Sequence, residues 1–369
     1  MKYKQWTMDE IRDASKLNKF NVVSTFAGGG GSSMGYRMAG GHILGINEFV
    51  EQAQKTYAAN FPDTHIFPQD VRELTGKEIL DTLGLKKGEL DIFDGSPPCS
   101  AFSLAGKREE GWGVEKKYST GKNQVVDDLF FEYIRIMDEI QPKIFVAENV
   151  KGLTIGNAKD YLLEILTKMR KCGYEVQYRV LNAADYGTPQ KRERVIFVGV
   201  RNDIYEDNDD LSGGWVDLFP EKTYKPTEYI SIKTAFSGLI QPDPVKDFPV
   251  GTKTRILYDA SKEGAQFSDA HEELYGTGSW FSHIRLHRDK ASSTLTTAWT
   301  GFCHWDEPRP LTIGEYQRIM GVPDDYINLG AANNQYERIG RMVAPPMYWA
   351  LSDHLYNVIL KPLKDQDEK

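Results

Sequence analysis

A glycine-rich turn between an apolar strand and a helix is the feature that most limits the folds open to this chain. The apolar residues 22–26 run into Ala27-Gly28-Gly29-Gly30-Gly31, and a helical stretch and a second strand ending at Glu48 follow. Glycines permit a tight strand-to-helix turn and a close approach of the backbone to a ligand. This order is typical of the nucleoside-binding half of a doubly wound parallel sheet.

Two acidic residues follow the glycine-rich turn at positions that suit a nucleoside ligand. Glu48 lies about 20 positions further on, at the end of the second strand, where a carboxylate can hold ribose hydroxyls. Asp70 follows the extended residues 64–67 and is suited either to capping a helix or to bonding an adenine amine. No Gly-Lys-Ser or Gly-Lys-Thr follows the glycines, which excludes a P-loop but leaves dinucleotides and phosphate-free nucleosides open.

A restrained thiol follows the next predicted strand. Residues 90–93 are apolar and lead through Ser96-Pro97-Pro98 to Cys99, on the side where open α/β sheets bind their ligands. Proline fixes φ, so the backbone beside Cys99 is held in one conformation, which suits a nucleophile. A loop cysteine that follows a proline turn by chance is the alternative.

The next segments predict a lid, a core helix and a strand that ends in an acid. Residues 101–124 show little periodicity and are predicted to form a lid that closes on phosphates through Lys107, Arg108, Lys116, Lys117 and Lys122, with a solvated charge run as the alternative. Apolar residues at helical spacing from Leu129 to Ile140 predict a core helix. Residues 143–150 predict a buried strand that carries Glu148, and a buried acid needs a partner.

The composition narrows the class of protein. The chain has 369 residues, of which 40% are hydrophobic and 27% charged, as in ordinary soluble globular proteins. It contains neither an apolar run long enough to span a membrane nor an apolar signal-peptide core after residue 4. Three widely spaced cysteines favour a reducing cytosol and predict no metal site. The net charge of −8 means that a polyanion would need a local basic surface.

Four short motifs then occur in a characteristic order. They are Phe26-Ala27-Gly28 with Gly30-Gly31, Ser96-Pro97-Pro98-Cys99-Ser100, Glu148-Asn149-Val150 and Gln190-Lys191-Arg192-Glu193-Arg194. In this order they resemble the DNA cytosine-5 methyltransferases, over roughly residues 20–200 and again from about Arg309 onwards. The Asp/Asn-Pro-Pro-aromatic tetrapeptide of amino-methylating DNA enzymes is not matched, because Ser96 precedes the prolines and Cys99 follows them.

The resemblance implies a reaction and a donor. Cys99 would add to carbon 6 of a cytosine flipped out of duplex DNA, while Glu148 bonds ring nitrogen 3. Arg194, with Arg192 as partner or support, would hold the carbonyl oxygen and the Glu148 carboxylate, and Asn149 would help to fix the pocket wall. The residues that the resemblance assigns to the donor S-adenosyl-L-methionine are Phe26, Ala27, Gly28, Gly30, Gly31, Glu48, Asp70, Pro97, Arg341 and Met342.

The resemblance also implies the architecture. The expected fold is α/β, a doubly wound, mostly parallel, Rossmann-like sheet of the class I methyltransferases with a smaller target-recognition domain. Residues 1–200 would form the catalytic and donor-binding domain, 201–308 the target-recognition region, and 309–369 a segment that returns to the catalytic domain. Basic residues of the recognition region that suit DNA contacts, with a solvated surface as the alternative for each, are Lys222, Lys225, Lys253, Arg255, Arg285 and Arg288. The adjacent Cys303 and His304 lack further ligands at metal spacing and are predicted to be packing residues.

Arg341 departs from the family pattern, which has Asn after the glycine at this position. Two like charges about 5 Å apart repel by roughly 3 kcal/mol, so an Arg beside the sulfonium of the donor needs an offsetting charge. Arg341 would then pair with an acidic side chain or contact a DNA phosphate. The other interpretation is that the donor is carboxy-S-adenosyl-L-methionine, whose carboxylate Arg341 would bind, giving 5-carboxymethylcytosine.

Three functions from different classes therefore stand. The first is a DNA cytosine C5 transferase of a restriction-modification system or phage, acting as a monomer on double-stranded DNA in the cytoplasm of a prokaryotic or phage-infected cell, with a restriction nuclease as a possible partner. The second is a related enzyme that acts on RNA, against which the large insert argues. The third is an inactive DNA-binding regulator, which the presence of Cys99, Glu148, Arg192 and Arg194 disfavours.

Overall fold

The structure, a computed structural model, describes residues 4–98, 116–117, 123–124, 129–156, 158–207, 216–240, 245–278, 283–298 and 301–367. Its contacts group it into two compact units. The sheet unit comprises residues 9–182, 193–221 and 348–369, and the second unit comprises residues 1–8, 183–192 and 222–347. The sequence-based boundaries at residues 200 and 308 stay a prediction, and the contact grouping places residues 309–347 with the second unit.

Strands and helices alternate through the first half of the chain. The strands are β1 (Phe20–Thr25), β2 (Gly41–Asn47), β3 (His65–Phe67), β4 (Ile92–Gly95), β5 (Lys116–Lys117), β6 (Asn123–Gln124), β7 (Ile144–Val150), β8 (Tyr174–Asn182), β9 (Glu193–Arg201), β10 (Ile284–Arg285) and β11 (Phe302–Cys303). The α-helices are α1 (Met8–Ser15), α2 (Gly31–Met38), α3 (Glu51–Asn60), α4 (Gly76–Leu83), α5 (Leu129–Ile140), α6 (Ala158–Lys171), α7 (Asn202–Asp207), α8 (Ile232–Phe236), α9 (Lys253–Ala260), α10 (Phe267–Tyr275), α11 (Ile313–Met320), α12 (Ala332–Arg341), α13 (Pro345–Leu355) and α14 (Lys361–Asp367).

The main sheet has seven strands in the order β3-β2-β1-β4-β7-β9-β8. The pairs from β3 to β7 are parallel, and β9 pairs antiparallel with both β7 and β8. The chain runs from β1 outwards to β3 and then returns to β4 on the other side of β1. This reversal between β1 and β4 is the position at which doubly wound sheets bind ligands, and the predicted fold class is confirmed.

Burial on both faces explains why the central strands form. Six of the seven residues of β7 are buried, as expected for a strand covered by helices on both sides. The predicted core helix is α5, which buries Phe130, Tyr133 and Met137 against the sheet. Tyr133 also donates hydrogen bonds to the carbonyl oxygens of Phe93 and Val146, at 3.1 and 3.0 Å, and so ties the helix to β4 and β7.

The second unit has a small core and a buried ion pair. Its apolar cluster joins α9, α10 and β11 through Leu257, Phe267 and Cys303. Arg309 forms two hydrogen bonds of 2.9 Å with Glu315 at the start of α11, where both side chains are buried. Burial lowers the pKa of Arg309, but its bonds to carboxylates outweigh that effect and raise the pKa overall. The pair therefore fixes the segment that precedes α11.

Among the residues that the structure describes, every helix is too short or too polar to cross a lipid bilayer.

Candidate active site

The carboxyl ends of β1 and β4 bring two loops of the sheet unit together. Thr25 pairs with Gly95 in the parallel register, and the backbone N–H of Ser96 donates to the carbonyl oxygen of Thr25 at 3.4 Å. The glycine loop, residues 26–31, and the Pro-Pro-Cys turn, residues 96–99, therefore start side by side. Cys99 itself lies outside the described residues, as do residues 101–115 and 118–122 of the predicted lid.

The glycine loop is held in left-handed conformations. Phe26, Gly28 and Gly30 have φ angles of 55°, 54° and 84°. A Cβ atom added to Gly28 would meet nothing within 4 Å, whereas one added to Gly30 would lie 2.9 Å from the ring of Tyr57. Gly28 therefore borders open space that a ligand can enter, and Gly30 allows the loop to pack closely on α3.

Glu48 fixes the open side of the glycine loop. Its carboxylate accepts hydrogen bonds from the backbone N–H groups of Gly28 and Val50, each at 2.7 Å. A carboxylate oxygen accepts more than one hydrogen bond, so this orientation is compatible with ribose binding. Asp70 accepts from the backbone N–H of Arg72 at 3.0 Å and pairs with its guanidinium at 3.3 Å, and so closes a turn. The helix that follows, α4, is capped by Thr75 and not by Asp70. A contact of Asp70 with adenine stays a prediction.

Asn149 connects the Pro-Pro-Cys turn to β7. Its side-chain amide donates to the carbonyl oxygen of Pro97 at 3.1 Å, and its side-chain oxygen accepts from the backbone N–H of Val150 at 2.8 Å. Asn149 is buried. The backbone that leads to Cys99 is therefore held by a side chain of the neighbouring strand, next to Glu148.

Glu148 and Arg194 form an ion pair across the β7–β9 ladder. The Nε atom of Arg194 lies 2.8 Å from Oε1 of Glu148, and the two side chains are 14% and 11% exposed. Arg194 pairs in register with Val150, two residues beyond Glu148. Because side chains two residues apart project from the same face, the antiparallel register brings this acid and this base together. Glu148 thus has the partner that a buried acid requires.

Asp94 was not identified from the sequence, although an acid inside an apolar strand signals that partners are needed. It is fully buried on β4, and its carboxylate accepts hydrogen bonds from Ser24 (2.7 Å), Ser32 (2.8 Å) and Tyr36 (3.2 Å). Burial raises the pKa of Asp94 to about 6 against the effect of these bonds, and the nearby charge of Glu148 adds to the rise. The cluster of Asp94 with these three hydroxyl groups, hereafter the Asp94 cluster, joins β4, which leads to Cys99, to β1 and to the helix α2 that follows the glycine loop.

Three predicted site residues belong to the second unit. Arg192 is 2% exposed, and its carbonyl oxygen accepts from the backbone N–H of Ala183 at 2.9 Å. Arg341 ends α12 and pairs with Glu337 one turn earlier, at 2.7 Å, with a side chain that is 52% exposed. Met342 follows it and is buried. Roles for these residues beside the donor or the base stay predictions.

Three of the six basic residues predicted to contact DNA form ion pairs within their own unit. The pairs are Lys222 with Asp185 at 3.0 Å, Arg255 with Asp259 at 3.0 Å, and Arg288 with Glu263 at 2.6 Å. Arg285 donates hydrogen bonds to the carbonyl oxygens of Trp305 and Ser261, at 2.8 and 2.7 Å. These bonds give its side chain a structural role. Lys253 lies 5.9 Å from the ring of Tyr275. DNA contacts by any of them stay predictions.

Cys303 and His304 are packing residues, as predicted. Burial raises the pKa of the Cys303 thiol to about 12. The Nδ1 atom of His304 accepts from the backbone N–H groups of Asp306 and Glu307, at 3.2 and 3.1 Å, and so closes a turn.

Comparison with known proteins is consistent with this geometry. Residues 20–357 match the model of the family described as C-5 cytosine-specific DNA methylase. The chain is 32% identical over 340 residues to the Type II methyltransferase M1.HphI of Haemophilus parahaemolyticus, covering 90% of this chain and 85% of the relative. It is 38% identical over 390 residues to M.XorII of Xanthomonas oryzae, covering 94% and 86%.

Solved structures share the fold. A protein encoded within an Escherichia coli prophage and described as a DNA modification methyltransferase superposes with a TM-score of 0.67 at 22% identity, over 93% of this chain and 99% of the other. The Entamoeba histolytica methyltransferase EhMeth superposes with a TM-score of 0.62 at 15% identity, over 92% and 98%. With the family match over most of its length, the chain belongs to the C-5 cytosine-specific DNA methylases.

Proposed function

We propose that this chain flips a cytosine out of double-stranded DNA and transfers a methyl group from S-adenosyl-L-methionine to carbon 5, as a modification enzyme. The observation that carries the proposal is the buried ion pair of Glu148 and Arg194 at the end of β7, beside the turn that leads to Cys99. An acid fixed by a guanidinium can bond the ring of a cytosine while a thiol attacks it.

The residues of the glycine loop fit a nucleoside donor. Gly28 borders open space, and Glu48 is oriented by two backbone bonds at the end of β2, where a carboxylate can meet ribose hydroxyls. Phe26, Ala27, Gly30, Gly31 and Pro97 would complete this surface. When bound, S-adenosyl-L-methionine supplies an electrophilic methyl group. The chain itself supplies the groups that hold and activate the base.

Different side chains of the sheet unit would perform different steps of the reaction on cytosine. The thiolate of Cys99 would add to carbon 6, forming a carbon–sulfur bond and making carbon 5 nucleophilic. Glu148 would share a proton with nitrogen 3, which balances the charge that the thiolate brings, and Arg194 would hold Glu148 in place. Loss of the proton from carbon 5 would then expel Cys99 and restore the ring.

Trapping of a covalent adduct tests the proposal. Random-sequence duplex DNA that contains 5-fluorocytosine keeps the enzyme attached, because the fluorine at carbon 5 cannot leave as a proton does. We expect a denaturation-resistant complex with S-adenosyl-L-methionine for the native chain and none for Cys99→Ser. The native chain should also prefer duplex DNA to tRNA as substrate. Absence of an adduct on DNA would overturn the proposal. An adduct on tRNA alone would favour the alternative function, an enzyme that acts on RNA.

A second donor is a candidate because of Arg341. An arginine in place of the family's asparagine suits a carboxylate, which carboxy-S-adenosyl-L-methionine carries next to its sulfonium. The ion pair of Arg341 with Glu337 supports the methyl donor instead, since Glu337 offsets the positive charge within α12. We therefore propose S-adenosyl-L-methionine as the donor. Formation of 5-carboxymethylcytosine would overturn this proposal.

Donor competition separates the two candidates. The native chain and Arg341→Asn are each given both donors in equal amounts on duplex DNA, and the released nucleosides are weighed by mass spectrometry. We expect 5-methylcytosine from both proteins in similar yield. Production of 5-carboxymethylcytosine by the native chain, reduced in Arg341→Asn, would establish the carboxylated donor and a catalytic role for Arg341.

The relatives support a proposal for the biological setting. M1.HphI and M.XorII are Type II methyltransferases, and we propose that this chain modifies cytosine within a defined DNA sequence. A partner nuclease, a monomeric state and a cytoplasmic location stay predictions.

A further inference from the structure

We infer that Asp94 is a positioning residue that holds the first turn of α2, and with it the glycine loop, against β4, the strand that leads to the proposed nucleophile Cys99. The inference rests on the proposed function, because it assigns a purpose to a contact between the donor-binding loop and the catalytic strand. It concerns the Asp94 cluster, whose members all lie within the sheet unit.

The hydrogen bonds of the Asp94 cluster are not equivalent. Ser24 lies on β1, directly opposite Asp94 in the parallel register, so the ladder already fixes its distance from β4. Ser32 and Tyr36 lie on α2, which begins at the last glycine of the glycine loop. Their bonds to Asp94 cross from a helix to a strand. The bond from Ser24 strengthens the contact between β1 and β4, which the backbone ladder already holds. The bonds from Ser32 and Tyr36 instead restrain α2 against β4.

The start of α2 depends on such side-chain contacts. Its N-cap is Gly30, which has no side chain to cap the helix. Ser33 accepts a hydrogen bond from the hydroxyl of Tyr57 at 3.0 Å on one flank, and Ser32 binds Asp94 on the other. Because the preceding loop is in left-handed conformations, its geometry depends on how firmly both of its ends are held.

The partners of Asp94 indicate that it is not kept for stability alone. Within the described part of the chain, the side chains that donate hydrogen bonds to its carboxylate are hydroxyl groups, and Asp94 forms no ion pair with Lys or Arg there. A buried carboxylate bonded only by hydroxyls is poorly compensated for the loss of water. An apolar residue would suit this position on β4 better if packing were its only task. A carboxylate, however, can accept from two elements at once.

Binding of the donor and of its demethylated product tests the inference. Ser24→Ala and Ser32→Ala each remove one hydroxyl of similar burial and bond length from the same carboxylate, so they form a matched pair. We expect similar falls in melting temperature. We also expect Ser32→Ala and Tyr36→Phe to raise the Kd for S-adenosyl-L-homocysteine, measured by calorimetry, roughly fivefold to tenfold, which corresponds to one lost hydrogen bond. Ser24→Ala should leave that Kd unchanged.

The outcomes are distinguishable. Equal weakening by Ser24→Ala and Ser32→Ala, or no weakening by either α2 variant, would overturn the positioning role while leaving the proposed function intact. Tyr36→Phe keeps the ring that packs against Tyr348 and so provides a second α2 variant if Ser32→Ala fails to fold. If the native chain binds neither S-adenosyl-L-homocysteine nor S-adenosyl-L-methionine, the proposed function itself fails, and the inference fails with it.

Discussion

A carboxylate buried among hydroxyl groups gives Asp94 an unusual relation to pH. Its pKa in the folded protein is about 6, above the ordinary value of 3.8, because burial disfavours the charged form. The folded protein therefore binds this proton more tightly than the unfolded chain does. The contribution of Asp94 to the free energy of unfolding rises as the pH falls through the folded pKa, and is constant once the pH is below the unfolded pKa.

Comparison of the native chain with Asp94→Asn isolates this effect. The shift corresponds to roughly 3 kcal/mol, so between about pH 8 and about pH 4 the stability of the native chain relative to Asp94→Asn should increase by up to that amount. Urea unfolding of both proteins across this range measures the difference. A difference that stays constant with pH would show that the Asp94 carboxyl does not titrate differently in the folded and unfolded states.

Individual residues differ in how much of their structural role could be predicted from the sequence. Glu48 could be predicted as an acid near the glycine loop, because its strand and turn are local in sequence. The partners of Asp94 could not, since they are 58 to 70 residues away and become neighbours only through the parallel register. The partner of Arg341, unlike those of Asp94, is close to it in the sequence. Glu337 lies four residues earlier on a helix, a spacing that predicts an ion pair once the helix is recognised.

At the scale of single elements, α12 depends on a glycine close to its end. A Cβ atom added to Gly340 would lie 2.3 Å from the carbonyl oxygen of Thr296. In most helices Gly→Ala is stabilising, because alanine has the higher helix propensity. Here the contact is with backbone, which cannot turn aside as a flexible side chain can.

We therefore expect Gly340→Ala to lower the free energy of unfolding by roughly 1–3 kcal/mol, as overpacking does elsewhere. Gly278→Ala is the matched control in the same unit, because a Cβ atom there meets nothing within 4 Å and its φ is not left-handed. Thermal unfolding of the three proteins gives the comparison. Equal melting temperatures for the two variants would contradict the close approach of α12 to Thr296.

The lengths and faces of the elements were predictable where the pattern was strong. The helix from Leu129 to Ile140 has the predicted bounds and buries the predicted apolar residues. The pairing of Arg194 with Glu148 was expected only from the resemblance, since nothing local indicates that β7 and β9 are antiparallel neighbours. The structural roles of Arg285 and Arg288 were not readable either, because their partners lie in other segments of the second unit.

At the scale of the whole molecule, the glycine turn and the alternation of strands and helices were sufficient to predict a doubly wound sheet. They did not predict how the chain is divided. Residues 183–192 and 222–347 group with one another, while 193–221 and 348–369 group with the sheet. Such a division depends on contacts between segments far apart in the chain, and sequence periodicity describes only local structure.

The antiparallel register of β7 and β9 has a consequence for how this protein can evolve. Successive residues of a strand project from opposite faces, so insertion or deletion of a single residue within β9, after Arg194, would turn its guanidinium away from Glu148. Substitutions on the helix-covered faces of these strands can be absorbed by repacking of neighbouring side chains, whereas a change in strand length cannot be absorbed in this way. Variation among descendants of this chain should therefore preserve the spacing of the β7–β9 ladder even where its residues change.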